Sequence, residues 1–104
     1  MRIELHPEAE AEILDAAGWC EDRHDGLGDQ FLEAVSRAFD VLAESPKVWR
    51  LWPDAPDMLP PIRRMMLLRF PYAVAYRVFG DVVRVLAVAH ASRKPFYWAD
   101  RLRG

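Results

Sequence analysis

Apolar residues in the N-terminal half recur every three or four positions, the spacing of one face of an α-helix. Two such stripes occur, and their members are Ala9, Ile13, Ala16, Ala17 and Cys20, then Leu27, Phe31, Val35, Ala38, Phe39 and Leu42. Pro7 is typical of a first helical position, and the second helix, predicted over 28–44, ends before Pro46. The link around Asp25-Gly26 is short, so the two helices should form an antiparallel hairpin.

After residue 61 the apolar period changes to two, which indicates β-strands. Strands are predicted over 62–70, 72–79 and 82–89, with a short strand at 2–5 and a helix or turn at 95–102. The five prolines of residues 46–61 predict a loop. The order β-α-α-β-β-β(-α) predicts an α+β fold, with the helical hairpin packed on a small, mainly antiparallel sheet. We expect the other sheet face to be at least partly open.

Composition adds limits to this picture. The 104 residues are 52% hydrophobic and 29% charged, as expected for one globular domain spanning 1–104. Cys20 is the single cysteine, so it forms no intrachain disulfide and supports no cysteine-based metal site. A reducing cytoplasmic location is expected, because the first residues lack the apolar region of a signal peptide. No apolar run reaches the roughly 20 residues of a membrane span, so no membrane partner is expected.

Charge is distributed unevenly along the chain. Residues 1–46 carry 3 Lys+Arg and 12 Asp+Glu, whereas residues 47–104 carry 11 and 4. One interpretation is a basic face that meets phosphate or an acidic partner. The other is that the two halves attract each other within the fold.

Several arginines fall within the predicted strands. Alternation places Arg63 with Met65, Leu67 and Arg69 on one face, Arg77 with Ala73 and Ala75, and Arg84 with Leu86, Val88 and His90. An unpaired buried arginine is costly, so these faces should be open or the arginines should lie at strand ends. In either case Arg69, Arg77 and Arg84 can form a cationic floor that binds phosphate. Alternatively, the arginines pair with Asp54, Asp57 or Asp81 on a solvated face. The candidate phosphate- or target-binding residues are Arg63, Arg64, Arg77, Arg84 and Lys94.

The last predicted strand runs into A-H-A-S-R-K-P-F-Y-W at 89–98. His90 can donate, accept or carry a proton near neutral pH, and Tyr97 and Trp98 can stack on bases. Alternatively, the aromatics close one end of the core, which we expect for Phe96 and Trp98. For His90, Arg93 and Tyr97 both interpretations stay open. Trp49 and Trp52 are expected to pack over the sheet edge, with a partner-binding patch as the alternative.

Four segments together resemble the RelE/ParE superfamily, the toxins of bacterial type II toxin–antitoxin modules. They are P-E-A-E-A-E-I-L-D-A-A at 7–17, G-L-G-D-Q-F-L-E-A-V at 26–35, R-R-M-M-L-L-R-F-P-Y-A-V-A-Y-R-V at 63–78 and V-L-A-V-A-H-A-S-R-K-P-F-Y-W at 85–98. The resemblance covers nearly the whole chain and implies the same element order. It also implies a growth-inhibiting toxin, silenced by a protein antitoxin that wraps it with a strand or helix.

The superfamily contains two mechanisms. Similarity to RelE-like members implies cleavage of mRNA on the ribosome, with Arg69 and Arg93 stabilising charge and His90 or Tyr97 acting as acid or base, without metal or cofactor. Similarity to ParE-like members implies a non-enzymatic poison of DNA gyrase. The segments at 26–35 and 90–98 look closest to the ParE-like side or to unassigned members between the two classes, and a gyrase poison is the main expectation. The segment at 47–57 lacks the lysine or glutamate motif of many ribonuclease members, and a toxin that has lost its activity is a third possibility.

Overall fold

The computed structural model describes residues 1–103, which form four strands, two long helices and a short 3₁₀ helix. Their bounds are β1 Arg2–Leu5, α1 Pro7–Arg23, α2 Leu27–Glu44, β2 Arg63–Met66, β3 Tyr72–Phe79, β4 Val82–His90 and the 3₁₀ helix Ala99–Arg103. The predicted order is confirmed. The strand predicted over 62–70 is shorter, because the chain leaves the sheet after Met66 and turns through Arg69 at φ 72°.

Local contacts set where the two helices begin. The His6 Nδ1 accepts the Glu8 N–H at 3.1 Å and caps α1, with Pro7 at the first position. The Glu21 carboxylate accepts the N–H groups of Gly26 and Gly28 at 3.1 and 3.0 Å, at the start of α2. A Cβ on Gly28 would lie 2.7 Å from the carbonyl oxygen of Ala17, so glycine here permits the close approach of the helical hairpin.

The sheet has the order β1-β4-β3-β2, with β1 parallel to β4 and the other pairs antiparallel. A bulge interrupts the β3–β4 pairing, since Ala75 lies opposite Ala87 while Tyr76 lies opposite Val85. The extra residue, Leu86, reverses the alternation of β4. Arg84 and Leu86 therefore do not share a face with Val88 and His90, and that prediction was wrong.

The helices cover one face of the sheet and enclose the larger core. Phe31 of α2 is fully buried and meets the rings of Phe70 and Tyr72 edge-on, with centroids 5.2 and 5.0 Å away. Cys20 of α1 is buried in the same core, and burial raises the pKa of its thiol. The Tyr76 hydroxyl donates to the carbonyl of Pro46 at 2.7 Å and so ties the loop 46–61 to this core.

The second face of the sheet is also covered, which corrects the expectation of an open face. Trp98, only 1% exposed, packs edge-on against Trp52 and Phe96, with centroids 5.2 and 5.6 Å away. These rings lie over a floor that includes Ala75 and Ala87. Small side chains on the strands leave room for the aromatic rings of the loop 46–61 and of the C-terminal tail, residues 91–103, so the core-closing roles expected for Phe96 and Trp98 are confirmed. The ring of Trp52, which was expected over the sheet edge, packs in the cluster on the second sheet face.

Candidate functional site

His90 ends β4 opposite the first residue of β3, Tyr72, and the two rings meet edge-on at 5.0 Å. The backbone N–H of Ser92 donates to His90 Nδ1 at 3.0 Å, and the Ser92 Oγ lies 2.7 Å from the same nitrogen. An Nδ1 that accepts leaves the proton of the neutral ring on Nε2. The imidazole is therefore held in one orientation at the end of the sheet.

Arg93 and Tyr97 stand beside His90 in the tail. The Arg93 guanidinium lies 3.9 Å from the centroid of the Tyr97 ring, a cation–π contact, and the Tyr97 hydroxyl donates to Glu12 Oε2. Burial, then the hydrogen bond to Glu12, raise the pKa of Tyr97 well above its usual range. The hydroxyl is therefore protonated at neutral pH.

Glu12 and Arg101 complete this cluster, and sequence reasoning missed both. Arg101 Nη1 donates to Glu12 Oε1 at 2.8 Å and to the Leu86 carbonyl at 3.2 Å, and the Val88 N–H donates to Glu12 Oε1 at 3.1 Å. The Glu12 and Arg101 side chains are 17% and 10% exposed. Burial alone would lower the pKa of Arg101, but the hydrogen bond and charge of Glu12 outweigh it and raise that pKa. The sequence signal that could have indicated a role for Glu12 was its position beside the apolar stripe of α1.

Two concave surfaces meet at His90, Arg93 and Tyr97. The first, the α1 groove, has a volume of about 450 Å³, lies between α1 and the end of β4, and includes the half-exposed Trp19. The second, the aromatic groove, has a volume of about 300 Å³, lies on the second sheet face, and includes Arg64 and Lys94. The structure thus brings together three of the four predicted ribonuclease residues.

The fourth predicted ribonuclease residue, Arg69, lies elsewhere. It lines the α2 groove, about 350 Å³ in volume, between α2 and β2, together with the exposed apolar residues Val41, Met66 and Leu68. The tight turn between β2 and β3 places its side chain in this groove. The aromatic groove and the α1 groove are both lined without it.

The predicted cationic floor of Arg69, Arg77 and Arg84 does not form. Arg77 lies directly opposite Arg84 near the Gly80 hairpin, whereas Arg69 is at the other end of β3. Arg77 is only 7% exposed, and its Nε donates to the Pro60 carbonyl at 2.9 Å. Burial and the charge of Arg84 lower the pKa of Arg77.

The remaining candidate arginines have separate partners. Arg84 lies 3.6 Å from the Glu4 carboxylate rather than from the aspartates considered above. Arg63 Nη1 donates to the carbonyl of Trp49 at 2.9 Å. Arg64 lies 5.9 Å from the centroid of the Trp52 ring, in the aromatic groove. Only Arg64 and Lys94 of the predicted phosphate-binding set therefore reach the surface around His90.

Two features are absent from residues 1–103. No group of three or more His, Cys, Asp and Glu side chains within this range is placed to hold a metal ion. Neither long helix in the same range is apolar enough along its length to cross a lipid bilayer.

The helical hairpin on a mixed four-stranded sheet, with the tail folded over the second face, is the α+β fold of RelE/ParE-type toxins. The family model of the ParE toxin of the type II toxin–antitoxin system, parDE, matches residues 3–95. The chain belongs to this family, and the resemblance to the superfamily is confirmed. The family implies a protein antitoxin as partner.

Two solved structures support the fold. A chain of the chromosomal ParDE toxin–antitoxin system from P. aeruginosa superposes with a TM-score of 0.58 at 21% identity, covering 88% of this chain and 97% of that one. The isolated E. coli RelE toxin superposes with a TM-score of 0.61, also at 21% identity, covering 98% and 96%. No curated protein matches the sequence. The two TM-scores are similar, so the backbone does not separate the two toxin classes.

Proposed function

We propose that this chain is a growth-inhibiting toxin that acts in the cytoplasm by binding DNA gyrase, without cutting nucleic acid, and that a protein antitoxin neutralises it. The engagement of Tyr97 carries this proposal. Its hydroxyl donates to Glu12 and its ring is covered by Arg93, so it is a poor candidate for an acid or base. The ParE family match supports the same proposal.

The surface around Tyr97 is suited to docking. Arg93 and Lys94 are exposed, and Trp19 is 55% exposed across the α1 groove. Arginine and tryptophan are enriched at the centres of protein interfaces, because the indole ring buries a large apolar area and the guanidinium offers several hydrogen-bond donors. A cationic and aromatic surface of this kind matches an acidic patch on a protein target.

A ribosome-dependent ribonuclease is the second candidate, and the aromatic groove favours it. Arg64, His90 and Arg93 line this groove beside Trp52 and Phe96. Guanidinium groups bind phosphate oxygens, and aromatic rings stack on bases. In RNA cleavage the ribose 2′-hydroxyl gives its proton to a base as its oxygen bonds to phosphorus, and the 5′-oxygen leaves and takes a proton from an acid. His90 can supply one of the two proton transfers, but Arg69 lies in another groove.

A short expression pulse of the full chain separates these functions. We expect thymidine incorporation to fall before amino-acid incorporation, and purified toxin to inhibit gyrase supercoiling. Arg93→Gln should weaken both effects, while His90→Ala and the exposed control Arg2→Gln should leave them largely unchanged. If amino-acid incorporation falls first and His90→Ala abolishes it, the ribonuclease replaces the gyrase poison. Harmless expression would mean that the chain no longer acts as a toxin.

The α2 groove is the proposed antitoxin surface. The Arg64 N–H of β2 donates to the Arg50 carbonyl at 2.9 Å, and the Trp52 N–H donates to the carbonyl of Ile62, just before β2, at 2.8 Å. The loop therefore covers only the first part of the β2 edge of the sheet. Past this point Leu68 is 82% exposed and Met66 is 44% exposed. A partner segment with apolar side chains can add to the uncovered part of the edge and cover both residues.

Paired substitutions test this surface. Leu68→Asp should weaken binding of the antitoxin by about tenfold or more, because it places a charge against an apolar partner. Leu14→Asp is the matched control, since Leu14 is also exposed but lies on α1. Calorimetry with the purified antitoxin measures both affinities, and equal weakening by the two substitutions would exclude the α2 groove as the specific contact.

A further inference from the structure

Glu12 links three parts of the fold through one carboxylate. Glu12, on α1, accepts hydrogen bonds from the Val88 N–H of β4 and from the Tyr97 hydroxyl of the tail. It also accepts from both terminal nitrogens of Arg101, with Nη1 2.8 Å from Oε1 and Nη2 3.3 Å from Oε2. Both carboxylate oxygens accept a charge-assisted hydrogen bond from the Arg101 guanidinium. A carboxylate held by donors from separate elements has little freedom to move.

The topology of the sheet explains why a hydrogen-bond acceptor and a donor are needed at this place. β1 ends at Leu5, paired with Val85, and the chain then turns into α1. The edge of β4 beyond Val85 continues without this neighbour, and the Val88 N–H and Leu86 carbonyl there require partners. Glu12 accepts from the first and Arg101 donates to the second.

The same cluster holds the side chain of Tyr97, and the Arg93 guanidinium lies over the ring of that tyrosine. The Tyr97 hydroxyl is anchored on Glu12, and the Arg93 guanidinium lies 3.9 Å from the centroid of the Tyr97 ring. Cation–π attraction depends on the position of the ring face. If the Tyr97 hydroxyl moved, the face of the ring that Arg93 contacts would therefore move as well.

We infer that Glu12 is a positioning residue, which places Arg93 on the target-facing surface by holding Tyr97. Arg101 supports the carboxylate and Tyr97 transmits its position. The assignment of Arg93 to a target contact rests on the proposed function, whereas the positioning of Arg93 by Glu12 does not.

The ring-current shift of the Arg93 side-chain protons tests the positioning directly. In the full chain these NMR signals should lie upfield, and Tyr97→Leu should remove the shift. Tyr97→Phe keeps the ring but removes the hydroxyl, and we expect it to lose at least half of the shift. Glu12→Gln should have a similar effect, while Glu10→Gln, an exposed position on the same helix, should have none.

Two results would overturn the inference. One is a full ring-current shift in folded Glu12→Gln despite a lower melting temperature, because Glu12 would then contribute only stability. The other is a full shift in Tyr97→Phe, which decides the question even if Glu12→Gln fails to fold.

A binding measurement separates this inference from the proposed function. Tyr97→Phe should weaken gyrase binding in the same direction as Arg93→Gln, by up to about tenfold. If Arg93→Gln leaves binding unchanged while the ring-current shifts respond as expected, the target contact is wrong and the positioning stands. If Arg93→Gln weakens binding but the shifts do not respond, the positioning by Glu12 is wrong.

Discussion

The two faces of the sheet are covered by different kinds of structure. On one face, α1 and α2 bury a continuous apolar core that includes Phe31 and Val74. On the other, the loop 52–58 and the tail 96–102 place aromatic rings over small strand residues. The tail is also held by the ion pair of Glu12 with Arg101.

The two faces therefore show two different ways of stabilising one small sheet. The helix side relies on burial of apolar area, which is non-directional and shared among many residues. The second side relies on a few rings and directional hydrogen bonds, so it should open locally before the helix side does. The second side also carries Arg93 and Lys94, which makes local opening relevant to function.

Truncation of the helix-side core should have the largest effect. Phe31→Ala removes a fully buried ring that contacts Phe70 and Tyr72, and should lower the free energy of unfolding by about 3–5 kcal/mol. Urea denaturation measures the change. Leu32→Ala, at the neighbouring exposed position, should cost less than about 1 kcal/mol. A similar loss in both variants would argue against one dominant core.

Truncation of the second-face aromatic cluster should come next. Trp98→Ala should reduce stability by about 3 kcal/mol, because it removes a buried ring. We expect to observe this loss mainly as faster hydrogen exchange in the tail. The amides of Ala99 and Arg101, which donate to Phe96 and Trp98 at 2.9 Å, should exchange faster. Amides of β3 should stay protected. Trp19→Ala serves as the exposed control, and uniform exchange throughout the chain would contradict separate opening of the two sides.

Alkaline pH should reveal how the loop is fastened to the helix-side core. Burial raises the pKa of Tyr76 to about 12, from about 10 in the unfolded chain, so its stabilising contribution is complete below pH 10 and is lost between about pH 10 and 12. Tyr76→Phe removes the hydrogen bond to Pro46 and should cost about 1–1.5 kcal/mol at pH 8.

The wild type and Tyr76→Phe should become equally stable near pH 11. Ionisation of Tyr76 in the unfolded chain lowers the free energy of unfolding of the wild type by about 1.4 kcal/mol per pH unit above 10. Urea titrations at pH 8 and 11 test this. Tyr72 and Tyr97 are present in both chains and cancel in the difference. A gap that is the same at both pH values would show that Tyr76 does not stay protonated in the fold.

The smallest effect is expected at Arg77. Arg77→Met keeps most of the buried volume, loses the bond to Pro60 and removes the like charge opposite Arg84. These contributions oppose each other, so stability should change by less than about 1 kcal/mol. Thermal unfolding measures the change in stability, and Arg37→Met, at an exposed position, is the control. A loss above about 2 kcal/mol would mean that the buried charge itself is needed.

Much of the fold was predictable because its signals are periodic and local. The stripe through Phe31 and Val35 and the alternation of β3 each appear within one segment, and the bounds of β3 were predicted correctly. The bulge at Leu86 was not predictable, since a run of valine, leucine and alanine reads alike on both faces of a strand. The cluster of Glu12, Tyr97 and Arg101 was missed because Glu12 of α1 lies more than 80 residues away along the chain from Tyr97 and Arg101 of the tail.

By itself, the sequence determined the element order, the apolar helical hairpin and the accumulation of His90, Arg93 and Tyr97 behind the last strand. These follow from residue spacing, which acts over a few positions. The tertiary structure decided that both faces of the sheet are covered, that Arg77 is buried while Arg93 is exposed, and that Glu12 and Arg101 hold the tail. Those outcomes depend on where β1 ends beside β4 and on how the loop and tail fill the space above its alanines, and such contacts exist only once distant segments pack together.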